Sequence, residues 1–95
     1  MVKRVIKKNG KKQKFSSKKI KKSIIKAASG AKRNKKLRER IANTITEHIL
    51  YELEDFDELT TARIRDMVLK ELDSMDRATF KAWIAYELKK MREKD

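Results

Sequence analysis

The residues with most to offer chemically lie near the start of the chain, in VIKKNGKKQKFSSKKI, positions 5 to 20. Ser16 and Ser17 stand where a helix should begin, and Lys19 falls in its first turn. Lys7, Lys8 and Lys14 flank them on extended segments. The first N–H groups of a helix lack intrahelical partners and carry about half a positive charge, which favours an anion. Serine hydroxyls and ammonium groups beside such a terminus would suit phosphate. A second start, Thr60-Thr61, has Arg65 four residues after Thr61, so hydroxyl and guanidinium share a face. Read alone, these residues are also explained by plain helix caps beside a solvated lysine surface.

Other chemistry finds little support. The chain has no cysteine, which excludes disulfides, cysteine-ligated zinc and thiol catalysis. His48 is the only histidine, too few for a histidine metal site or a triad. Neither GxxxxGK[ST] nor GxGxxG occurs. The acids Glu52, Glu54, Asp55, Asp57 and Glu58 lack EF-hand spacing and form a solvated loop more readily than a calcium site. Trp83 and Phe80 fit the period of a packed core, and His48 reads as packed or half-exposed. No acid, base and nucleophile combine, so no enzyme activity is expected, nor a structural metal.

The elements that must position these residues can be read in order. At 95 residues the chain is expected to form a single domain spanning 1–95. Val2 to Lys8 and Lys11 to Phe15 suit short strands around Asn9-Gly10, a hairpin signal that fits a type I′ turn; the hairpin is placed at 2–15. Four helices follow at about 17–29, 34–54, 61–74 and 77–92. The first buries Ile20, Ile24, Ala27 and Ala28 and ends at Gly30. The second carries Leu37, Ile41, Ile45, Ile49 and Leu53 at intervals of four. After EDFDEL, where Phe56 and Leu59 should return to the core, Thr60 or Thr61 caps the third helix. That helix turns Ile64, Met67, Val68, Leu72 and Met75 inward. Asp76 caps the fourth, with Phe80, Trp83, Ile84, Leu88 and Met91. The fold class is α+β, mainly α, with a hairpin packed on four helices because a two-stranded ribbon is not stable alone.

Charge divides the chain. Residues 1–40 contain eighteen Lys and Arg and one acid, Glu39, a net of +17; residues 41–95 have a net of −4, within a total of +13. Lysines that serve solubility alone need not be confined to one half. A DNA or RNA backbone is therefore an alternative partner, reinforced by AKRNKKLRER at 31–40. No apolar run reaches signal-peptide or membrane-spanning length, so a cytoplasmic protein with no membrane partner is expected.

Three motifs in sequence order resemble the ATP-cone domain. They are Val5-Ile6-Lys7-Lys8-Asn9-Gly10 with Phe15-Ser16, Lys19-Ile20, Ser23-Ile24 and Ala27-Ala28; then Leu59-Thr60-Thr61-Ala62-Arg63-Ile64-Arg65-Asp66-Met67-Val68; then Trp83-Ile84-Ala85-Tyr86. The likeness runs over essentially the whole chain. It implies an allosteric module like those of ribonucleotide reductases and of the repressor of reductase genes. Such a module binds ATP or dATP, with Mg2+ as an accompanying ion, and its oligomeric state responds. By position, Lys7 and Lys8 would meet the phosphates. Gln13, Lys14, Phe15 and Ser16 would line base and ribose, and Lys19 would hold phosphate. Thr61 would add a contact, Lys89 or Lys90 would close the phosphate side, and Arg65 would be a further phosphate ligand. Lys8 replaces the family's arginine and loses its planar fork. Gln13 and Ser16 stand where acidic or amide residues are common. With neither a catalytic domain nor a zinc ribbon, the chain reads as a free-standing cone.

Overall fold

A computed structural model of the chain describes residues 1–93. It contains β1 (Arg4–Ile6), β2 (Lys12–Lys14), α1 (Ser17–Gly30), α2 (Lys35–Glu52), a 3-10 turn (Leu53–Asp55), β3 (Glu58–Thr60), α3 (Thr61–Met75) and α4 (Arg77–Glu93). The fold is α+β and mainly α, with the expected four helices. The N-terminal sheet, however, has three strands in the order β2-β1-β3. β3 pairs parallel with β1 (Arg4 opposite Glu58, Val5 opposite Leu59, Ile6 opposite Thr60) and covers the edge that a two-stranded ribbon would leave open.

The hairpin turn also differs from expectation. Lys7 N–H bonds Lys11 O and Gly10 N–H bonds Lys7 O, both at 2.8 Å, leaving a three-residue loop. Gly10 has φ 85°, whereas Asn9 does not adopt positive φ. This is the type I turn with a glycine bulge, rather than type I′. The Asn9 side chain accepts from Lys11 N–H at 3.0 Å and stabilises the loop.

The core lies where α1, α2 and α3 meet beneath the sheet. Ile24, Ile41, Ile45, Ile49, Leu53 and Leu72 are almost wholly buried, and Val2 is sealed below β1. Each such aliphatic side chain contributes roughly 1.5–3 kcal/mol. Leu37 is half-exposed, because a step of four advances about 40° around the helix and carries the stripe off the core. Phe56 and Met75 are exposed as well, and Leu59 alone returns from the acidic connection to pack on the core. On α4, Phe80, Trp83 and Ile84 are partly buried, while Leu88 and Met91 lie at the surface.

Gly30 is the last residue of α1 and not the left-handed residue beyond it. That conformation falls to Lys32 at φ 60°. Lys32 N–H bonds Ser29 O at 2.9 Å and Arg33 N–H bonds Ala28 O at 3.0 Å, the pairing of a Schellman motif.

Candidate functional site

Two helix starts converge on one cavity. Ser16 is the N-cap residue of α1, with extended backbone and a side chain that makes no cap bond. At α3 the capping is done by Thr60, whose Oγ1 accepts from Arg63 N–H at 3.1 Å, so the neighbouring Thr61 hydroxyl is not required for it. Neither helix has an acidic residue in its first turn. Parallel pairing of β3 with β1 sets the start of α3 beside the sheet, across from the start of α1.

Between them lies a cavity of about 220 Å3, walled by Val5, Gln13, Lys14, Phe15, Ser16, Lys19, Ile20, Ser23, Thr61, Ile64, Arg65, Val68 and Trp83. Its wall holds three cationic side chains and no carboxylate. Its lining combines polar and basic side chains with the apolar Val5, Phe15, Ile20, Ile64, Val68 and Trp83. Such a composition suits a ligand with both an apolar body and an anionic group.

Seven of the residues singled out from sequence are thus brought together: Gln13, Lys14, Phe15, Ser16, Lys19, Thr61 and Arg65. Lys7, Lys8, Lys89 and Lys90 do not line the cavity. Lys7 and Lys8 are exposed in the hairpin turn, and Lys89 and Lys90 are exposed on α4. Sequence reasoning misses the rest of the apolar wall, because helical periodicity alone does not separate a core-facing side chain from one facing a hollow.

Arg65 is not free. Its Nε donates to Glu87 Oε2 at 2.6 Å, its Nη2 to Glu87 Oε1 at 2.5 Å, and its Nη1 to Asp66 Oδ1 at 2.9 Å. The bond from Arg65 holds the Glu87 carboxyl below the usual carboxylate range, and the same pair raises the pKa of the guanidinium. A second hollow of about 430 Å3 adjoins the first, sharing Ser23 and Trp83, and is completed by Lys26, Ala27, Gly30, Ala82, Tyr86 and Glu87. There Lys26 Nζ donates to the Tyr86 hydroxyl at 2.9 Å, which draws the Tyr86 pKa downward. Lys90 Nζ lies 5.6 Å from the centre of the same ring. Among the described residues, no group of three or more His, Cys, Asp or Glu could hold a metal ion.

The hollow between the two helix starts, bordered by the small sheet, gathers Lys14, Lys19 and Arg65. The family model described as the ATP cone domain matches residues 3–91 of the 95-residue chain, and the chain belongs to that family. ATP-cone domains are nucleotide-binding regulatory modules that take ATP or dATP. A search of curated proteins finds no match to the chain. No described helix is long and apolar enough to cross a membrane.

Proposed function

We propose that this chain binds ATP or dATP in the cavity between the starts of α1 and α3, and that occupancy alters its self-association or its contact with a partner. The observation that carries the reading is the pairing of two helix N-termini with Lys14 and Lys19 around a hollow whose wall has no carboxylate. Phosphates would take the basic side, with Ser16, Lys19 and Thr61 as donors and Mg2+ accompanying the triphosphate. The base would lie against the apolar side near Phe15. Family membership supports the ligand class. The setting is cytoplasmic, where such nucleotides are abundant, and regulation of a reductase or of transcription is the output most consistent with the family.

Isothermal titration of the purified chain with ATP and dATP tests this, with light scattering of each mixture. Binding at micromolar to sub-millimolar nucleotide is expected, with a different assembly for at least one ligand. Absence of heat in that range would remove the reading.

One observation favours a second partner, a nucleic-acid backbone. Among the described residues, ion pairs engage only Lys12 and Arg33 of the eighteen basic side chains in residues 1–40. The spacing of Lys18, Lys22 and Lys26 puts them along one face of α1. Such a stripe would release counterions from DNA or RNA, without evident base-specific readout.

A further inference from the structure

The cavity is smaller than the 300 Å3 or so at which ligand pockets usually begin, and one of its three cations already has an anionic partner. That partner is Glu87, which lines the second hollow and not this one. This carboxylate, on α4, occupies the fork of Arg65 with two parallel bonds, which is the geometry a phosphate would use. The pair also lies at the boundary of the two hollows, which share Trp83, a residue one turn before Glu87. Lys14 and Lys19, by contrast, form no ion pair among the described residues.

We infer that Glu87 is an internal competitor for the phosphate position on Arg65, so that a polyphosphate ligand must displace it. The inference rests on the nucleotide-binding reading and extends it. A chain of phosphates offers the guanidinium the same acceptors with more negative charge. The displaced carboxylate is about one-third exposed and can turn to water. Loss of the pair removes a strut between α3 and α4 and opens the first hollow toward the second. Apparent affinity is reduced by the fraction of molecules in which the pair is closed. Occupancy is thereby coupled to the placement of α4.

The test compares Glu87→Gln with the native chain, using ATP, inorganic tripolyphosphate and adenosine in separate titrations. Glu87→Gln should bind ATP and tripolyphosphate about three- to tenfold more tightly, and adenosine unchanged. In an Arg65→Ala background the gain should vanish. If Glu87→Gln does not fold, Glu87→Asp, which keeps the charge but shortens the reach, should show a smaller gain of the same sign. An unchanged or weaker affinity for tripolyphosphate, an equal gain with adenosine, or a gain that persists without Arg65 overturns the inference. If the native chain binds ATP and the variants match it, only the competitor role falls. If folded native and Glu87→Gln chains both ignore ATP, the nucleotide reading falls with it.

Discussion

Arg33 holds Asp76 in a two-pronged grip, Nε to Oδ2 at 2.9 Å and Nη2 to Oδ1 at 2.6 Å, and so joins the α1–α2 turn to the α3–α4 junction. Asp76 is also the residue before α4, and its Oδ2 accepts from the hydroxyl of Thr79, which is wholly buried. One carboxylate therefore satisfies a guanidinium, a buried hydroxyl and a helix start.

Replacing Asp76 with Ala should cost about 2 kcal/mol, from the lost cap and the stranded Thr79 hydroxyl. Urea denaturation at neutral pH measures this. The bond from Arg33, followed by that from Thr79, holds the Asp76 carboxyl below its ordinary value of 3.8. Its contribution is thus complete above about pH 4 and is lost as pH falls through the lowered value. Asp76→Asn should show a smaller acid-induced fall in melting temperature than the native chain; identical acid limbs would count against this account.

Lys32 adopts φ 60°, which costs an L residue with a Cβ about 1 kcal/mol or more. Lys32→Gly should therefore raise stability by about 0.5–1 kcal/mol, seen as a higher urea midpoint. ATP affinity should not change, since Lys32 lies outside the cavity wall.

Among the cavity lysines, Lys19 sits in the first turn of α1 and reaches the wall. Lys19→Ala should weaken ATP about tenfold, the worth of one charge-assisted bond. Lys7→Ala should weaken it less, because Lys7 lies in the turn and not on the wall. Lys32→Ala should have no effect. Equal losses in all three variants would point to a diffuse charge effect instead of a site.

Lys18 and Lys22 are exposed on α1 and absent from the cavity wall. If the basic stripe binds duplex DNA, the double variant Lys18→Ala, Lys22→Ala should flatten the log–log salt dependence by about 0.9 for each phosphate no longer neutralised. Its ATP affinity should match that of the native chain. Gel shifts over a salt series measure the first, calorimetry the second.

Thr46 is buried in α2, and its hydroxyl has no hydrogen-bond partner among the described residues. Thr46→Val keeps the shape and removes the stranded oxygen, so stability should rise by up to about 1 kcal/mol. A fall of that size in thermal melts would mean that the hydroxyl is satisfied.

The sequence by itself determined what depends on neighbours a few positions apart. Ile20, Ile24, Ala27 and Ala28 mark the buried face of α1 by period alone, the cap of α3 is narrowed to Thr60 or Thr61, and the basic half is plain from composition. Even the turn was legible as a turn at Asn9-Gly10, although its type was not. The tertiary structure decided whatever spans the chain. A strand of three residues has no readable period, so β3 emerges only from its pairing with β1, which sets Glu58 opposite Arg4. That pairing brings Thr61 to the same hollow as Ser16. Helix packing then chose Glu87, twenty-two residues away, as the partner of Arg65, and Asp76, forty-three away, as that of Arg33. Local preferences act over a turn or two of backbone, whereas the partner of a long charged side chain depends on which helix faces meet across the core.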